Sequence, residues 1–138
     1  MRANLDSVFN VTRNLIEGLI ERSYGRIVNV SSVNGQKGQF GQTNYSAAKA
    51  GMHGFTMALA REVAAAGVML NTVSPGYIDS PMIRAVPEKV RDRIEHDIPV
   101  KRFGTPADIA RAIAFLTDEA AGFITGSDLS VKGGQHMR

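Results

Sequence analysis

Residues 25–32 read Gly-Arg-Ile-Val-Asn-Val-Ser-Ser, and residues 44–51 read Asn-Tyr-Ser-Ala-Ala-Lys-Ala-Gly. The first stretch carries the short apolar run Ile27, Val28 and Val30, the pattern of a buried strand. The second opens a long helical segment, about residues 44–66, rich in small residues and closed by Gly67, a natural helix stop. Between them, Gly35, Gly38 and Gly41 stand beside Gln36, Gln39 and Gln42, so residues 32–42 read as a loop and not a strand. Gly51 and Gly54 inside the long helix each cost up to about 1 kcal/mol relative to Ala, which predicts a sheet or a second helix packed close to that backbone.

The pattern extends in both directions. Upstream, Leu5, Val8, Phe9, Thr12, Leu15, Ile16, Leu19 and Ile20 recur at helical spacing and predict an amphipathic helix over about residues 4–22. Downstream, Val68, Met69, Leu70, Thr72 and Val73 form a second buried strand, closed by Pro75-Gly76. Residues 79–103, with Pro81, Pro87 and Pro99, read as short helices and a mobile flap. Thr105 as N-cap, Pro106 at the first helical position and Asp108 open another helix, with Ile109, Ala112, Ile113 and Leu116 as its buried stripe. Residues 120–125 turn, and Leu129 and Val131 mark a last short strand before Gly133-Gly134. Helix alternating with strand three times gives an α/β fold with a parallel sheet of three strands.

Composition narrows the function. The 138 residues make one domain, and 43% apolar with 21% charged is the balance of an ordinary globular protein. There is no Cys, which excludes disulfides, thiolate metal sites and a cysteine nucleophile, and is compatible with a reducing cytoplasm. The net charge of +3 comes from scattered Lys and Arg, not from the clustered stripe that nucleic acid demands. No apolar run approaches the ~18 residues of a membrane span, and the opening Met-Arg-Ala-Asn-Leu-Asp, charged and without an apolar core, is not the pattern expected of a secretory signal. His53, His96 and His136 lack ligand spacing, so no metal is expected.

Chemistry concentrates at Ser32 and at Tyr45-x-x-x-Lys49. Tyr45 and Lys49 share one helix face about 6 Å apart along its axis. A free phenol titrates near pH ~10, and a neighbouring ammonium favours its ionised form. Ser32 follows a strand end, where α/β folds place active sites. Its hydroxyl can hold a carbonyl oxygen while Tyr45 donates a proton. The plain alternative is a routine helix-surface pair. A serine–lysine hydrolase is a second alternative, but no Gly-x-Ser-x-Gly elbow accompanies it.

These stretches, with Asn4-Leu5 and Asn71-Thr-Val-Ser-Pro75-Gly76, closely resemble the short-chain dehydrogenase/reductase family along the whole chain. Within it, residues 32–45 and the ending Gly133-Gly134-Gln135-His136-Met137 look most like the acetoacetyl-CoA reductases of polyhydroxyalkanoate synthesis. The 3-oxoacyl-carrier-protein reductases match that loop less well. The resemblance implies roles. Tyr45 is the acid that protonates the substrate oxygen, Ser32 orients that oxygen, and Lys49 assists Tyr45 and holds the nicotinamide ribose. Asn4 supports a water relay to the lysine. Pro75, Gly76, Tyr77 and Ile78 lie along the nicotinamide, with Ser80 on its carboxamide or phosphate. Gln39, Phe40, Gln42 and Tyr77 line an acyl-CoA pocket. Each has a plainer reading: Asn4 as a helix cap, Phe40 as a small loop core, Pro75-Gly76 as a turn, Gln39 and Gln42 as solvated residues.

The resemblance further implies NADPH as cofactor, with NAD not excluded, an acyl-CoA thioester substrate and a cytoplasmic homo-oligomer, a tetramer. In such a tetramer the helices at 4–22 and 43–66 build a four-helix interface, with Gly51, Gly54 and Ala58 packed tightly. The Gly-rich pyrophosphate turn of the family is absent from the sequence. The expected fold is therefore the C-terminal portion of a Rossmann-like doubly wound parallel sheet, a partial domain over residues 1–138 that lacks the dinucleotide-binding half. Such a chain is expected to be inactive alone, and a purely structural role in oligomerisation stands as the reading from a different class.

Overall fold

The two apolar runs pair with each other. In a computed structural model, which describes residues 2–137, β1 (Gly25–Val30) lies parallel to β2 (Val68–Pro75), with Gly25 opposite Val68 and Val30 opposite Val73. β3 (Asp128–Val131) joins the far side of β2, also parallel, with Thr72 opposite Asp128 and Pro75 opposite Val131. The order is β1-β2-β3. Parallel neighbours need a crossover. Between β1 and β2 it is made by α2 (Val33–Lys37), α3 (Thr43–Val63) and a tighter turn at Ala64–Ala66.

α1 (Ser7–Glu21) and α3 cover one face of the sheet. Ala60 and Val63 of α3 bury against Val68 and Leu70 of β2, and Ile16 and Leu19 of α1 pack on the same cluster with Ile27 of β1. The return to β3 runs through α4 (Pro81–Arg84), α5 (Glu88–Asp97) and α6 (Pro106–Thr117). α6 lies across all three strands from the other side, which makes the sheet doubly wound, as the family resemblance implies. Thr105 and Asp108 close a capping box: Thr105 Oγ1 accepts from the Asp108 N–H at 3.2 Å, and the Thr105 N–H donates to Asp108 Oδ2 at 2.8 Å. That N–H, then the Arg102 guanidinium and the Thr105 hydroxyl, hold the Asp108 carboxyl far below the usual carboxylate range.

Three expectations change. The first helix is preceded by a wide helical turn over Arg2–Asp6, so helical structure begins earlier than residue 4 and ends at Glu21. Residues 32–42 are not all loop. Ser32 caps a five-residue helix, which stops where Gly38 takes a φ of 71°. Gly51 is closely packed, since a Cβ there would lie 3.0 Å from Leu5 Cδ2, but a Cβ on Gly54 would meet nothing within 4 Å. No close neighbour among the described residues explains Gly54. The short helices expected within 79–103 are present as α4 and α5.

Among the described residues β1 pairs on one side only. A groove of about 300 Å³ runs beside it, lined by Val8, Val11 and Leu15 of α1 and by Ile27 and Val28. Unpaired strand edges template association, and Val11, Leu15 and Val30 are exposed apolar side chains beside this one. Residues 1–138 alone are therefore expected to self-associate in light scattering; a monodisperse monomer is the contrary result. Gly54→Ala is expected to raise stability to urea by about 0.5–1 kcal/mol, the helix-propensity difference. An unchanged or lowered midpoint means that another surface occupies that face.

Candidate active site

The carboxyl ends of β1 and β2 open onto one cleft. Ser31 leaves β1 with its N–H on the Val73 carbonyl at 2.8 Å. Ser32 follows in extended conformation, and its Oγ accepts from the Asn34 N–H at 3.1 Å, capping α2. The cap uses a lone pair, so the hydroxyl proton remains for an incoming acceptor. On α3, Lys49 Nζ lies 5.7 Å from the centre of the Tyr45 ring, within cation–π range. It donates to the Val30 carbonyl at 2.8 Å, and burial pushes its pKa down.

α2 and α3 meet backbone to backbone. A Cβ on Gly35 would lie 2.8 Å from the Lys49 carbonyl carbon and 2.9 Å from the Ala50 nitrogen. Only glycine permits this approach, and the contact sets how far Ser32 stands from Lys49.

The cleft measures about 530 Å³. Ser32 and Tyr45 line it from one side and Gly76, Tyr77, Ile78 and Ser80 from the other, with Gln42 completing the expected set. The segment after β2 is pinned. The Tyr77 N–H donates to Gln135 Oε1 at 2.9 Å, the Gly104 N–H donates to the Tyr77 carbonyl at 3.0 Å, and the Asp79 N–H donates to the Gly104 carbonyl at 2.8 Å. Gly76 is needed for this, because a Cβ would fall on Gln135 Oε1. Ser80 caps α4, its Oγ accepting from the Ile83 N–H at 3.4 Å.

Other expected residues stand elsewhere. Lys49 and Pro75 adjoin the cleft without lining it. Asn4 sits in the wide turn before α1, its carbonyl accepting from Ser7 Oγ at 3.4 Å, and the N-cap position of α1 falls on Asp6 instead. Gln39 and Phe40 do not line the cleft, and Phe40 is 100% exposed, so it is not a loop core. Sequence reasoning passed over Asn34, whose Nδ2 donates to Gln42 Oε1 at 2.9 Å, and Val33, Met82 and Ile83, which also line the cleft. Gln135 carried no local signal, since its partner is 58 residues away.

A Ser at a strand end, Tyr and Lys one turn apart on α3, and a pinned segment after the following strand form the arrangement that the family resemblance implies. A family model described as enoyl-(acyl carrier protein) reductase matches residues 1–136, and the chain belongs to this family of short-chain dehydrogenases/reductases. Among curated relatives, the acetoacetyl-CoA reductase of Cupriavidus necator is 62% identical over 134 residues, 97% of this chain and 54% of that protein. The acetoacetyl-CoA reductase of Allochromatium vinosum is 57% identical over 137 residues, 99% of this chain and 56% of that protein. The 3-oxoacyl-[acyl-carrier-protein] reductase of Vibrio cholerae is 45% identical over 137 residues, again 99% and 56%. The chain spans about half the length of the curated relatives it matches.

Gly35→Ala is expected to wedge α2 from α3 and to cost about 1–3 kcal/mol, the usual penalty of overpacking. Urea unfolding measures it. An unchanged midpoint would show that the two helices separate freely.

Proposed function

We propose that the protein carrying this chain reduces a 3-oxoacyl thioester, acetoacetyl-CoA, to the (R)-3-hydroxyacyl product with NADPH. The observation that carries this reading is the shared cleft of Ser32, Tyr45 and Gly76–Ser80, with Lys49 one helical turn from Tyr45. The donor set suits the nicotinamide–ribose end of a dinucleotide: an ammonium at Lys49, hydroxyls at Ser32, Tyr45 and Ser80, and a side-chain-free backbone at Gly76. When bound, the nicotinamide supplies the hydride.

This chain's residues handle the oxygen. The Ser32 hydroxyl, oriented by its cap bond, donates to the substrate carbonyl oxygen. Tyr45 gives its phenolic proton to that oxygen as negative charge develops. The Lys49 ammonium stabilises the phenolate left behind. Asn4 supports the water relay that reprotonates this pair. Tyr77 and Gln42 position the acyl group, with Gln39 and Phe40 reserved for the distal part of the thioester. Single-domain organisation over residues 1–138, as part of a longer reductase domain, and a homotetramer in the cytoplasm complete the proposal. Exposed Phe9, Leu15 and Met57 on α1 and α3 support the oligomer. Among the described residues no helix is long and apolar enough to cross a membrane.

The names of the Cupriavidus and Allochromatium relatives favour the CoA thioester; the Vibrio relative keeps a carrier-protein substrate as the second reading. Joining residues 1–138 to the amino-terminal half of the Cupriavidus relative gives a protein in which both thioesters can be compared, with the unjoined chain expected to be silent. Faster turnover of the carrier-protein substrate reverses the choice. In the joined protein Tyr45→Phe is expected to lower turnover about 10²- to 10⁴-fold, the worth of general acid catalysis, while cofactor fluorescence titrations stay unchanged. Near-normal turnover in that variant removes Tyr45 from the mechanism.

A further inference from the structure

Beneath the cleft the sheet turns polar side chains toward α3, in rows set by the strand register. In the deeper row, Asn29 Nδ2 and Thr72 Oγ1 both donate to Thr56 Oγ1, at 2.9 and 3.1 Å. In the row next to the cleft, Ser31 and Ser74 flank His53, and the Asp128 carboxylate, from the register position opposite Thr72, lies 3.9 Å from its Nε2. Ser31 is 4% exposed, Ser74 is fully buried, and the His53 side chain is 14% exposed. Both Ser31 and His53 adjoin the site. Ser31 precedes Ser32, and His53 stands one turn beyond Lys49 on α3.

The protons in this row can be placed. Ser31 Oγ lies 2.9 Å from the Lys49 carbonyl oxygen, which only accepts. Ser74 Oγ lies 2.7 Å from Asp128 Oδ1, a carboxylate oxygen that likewise accepts. Each serine thus spends its single proton away from His53. Yet His53 Nε2 is 2.8 Å from Ser31 Oγ and 3.2 Å from Ser74 Oγ. Nε2 must therefore carry the hydrogen and share it between the two oxygens. On the far side, Gln36 donates to Asp128 Oδ2 and, at 2.7 Å, to Ser130 Oγ, and Lys132 donates to Gln36 Oε1. Gln36 belongs to α2, the helix that Ser32 caps.

We propose that His53 is a positioning residue for the reduction: its Nε2–H, shared by Ser31 and Ser74, locks the Lys49 carbonyl to the end of β1 and fixes Lys49 relative to Ser32. Its effect on rate rests on the reading of the cleft as a ketone-reducing site. The lock itself is a property of this chain's hydrogen bonds. The Thr56 row supplies the internal control, because it is polar and more deeply buried but ties no residue of the cleft.

Two readouts on the joined protein test this. Selective ¹⁵N labelling of histidine, with His53→Gln to assign the signal, reports the tautomer by nuclear magnetic resonance. Nε2 protonated at neutral pH is expected; an unprotonated Nε2 overturns the proposal. In steady-state kinetics, His53→Leu is expected to lower kcat about 10- to 100-fold, the range for a small misplacement of catalytic groups. Both KM values are expected to stay within about twofold, the mark of an interaction felt in the chemical step. His53→Gln, which restores an N–H donor, is expected to recover kcat to within about threefold of the parent, and Thr56→Val to lose stability with kcat kept. Equal losses in the Leu and Gln variants, or an unaffected Leu variant, overturn it. If the parent joined protein does not reduce acetoacetyl-CoA, the functional reading fails, and the tautomer alone decides the lock.

Discussion

The structure depends on how closely three backbones approach at Lys49. The end of β1, the short helix α2 and the long helix α3 converge there, with Gly35 against the Lys49–Ala50 peptide and the Ser31 hydroxyl on the Lys49 carbonyl. A side chain at Gly35 would force the helices apart. Once the approach is fixed, Ser32 at the start of α2 and the Tyr45–Lys49 face of α3 have little freedom relative to one another. The parallel register of β1 and β2 then brings the Gly76–Ser80 segment to the opposite side of the same cleft. Positioning of this kind is what turns binding into rate.

The face of the sheet under α1 and α3 changes character along its length. At the amino ends of the strands it is apolar, with Ile27, Val68 and Leu70 against Ala60 and Val63. Toward the carboxyl ends it becomes polar, through Asn29, Thr72 and Asp128 to Ser31 and Ser74. Apolar burial is non-directional and holds α3 to the sheet without fixing its position along the strands. Hydrogen bonds are directional, and an unmade one in a buried site costs about 1–3 kcal/mol. The apolar end thus supplies adhesion, and the polar end supplies register next to the cleft.

The elements legible in the sequence are those whose signal is local. Ile27–Val30 and Val68–Val73 announce strands because both of their faces need burial. Thr105, Pro106 and Asp108 announce a helix start because the cap is made within four residues. α2 was not legible, since a five-residue helix of Val, Asn, Gly, Gln and Lys has no periodicity to detect; only Ser32 and Gly38 at its ends mark it. Gly51 and Gly54 look alike in sequence, yet Leu5 packs on the first alone. Tyr45 and Lys49 were legible through their four-residue spacing, and Ser32 through its place after a strand. His53 was not, because its partners follow β1 or lie in β2 and β3 and meet only when the sheet has formed. Read alone, it showed only that it lacked a metal ligand's spacing.

The Lys49–Val30 bond has a consequence at the margin of the sheet. In a parallel strand alternate residues direct their peptide groups to the same neighbour. The Ser31 N–H goes to Val73 of β2, so the Val30 carbonyl faces the other way, along the open side of β1. Lys49 covers that last carbonyl. A further strand laid beside β1 finds acceptors at Arg26 and Val28 but meets an ammonium at Val30. The lysine that adjoins the cleft thus also acts as a boundary post, marking where an added strand would lose its last acceptor.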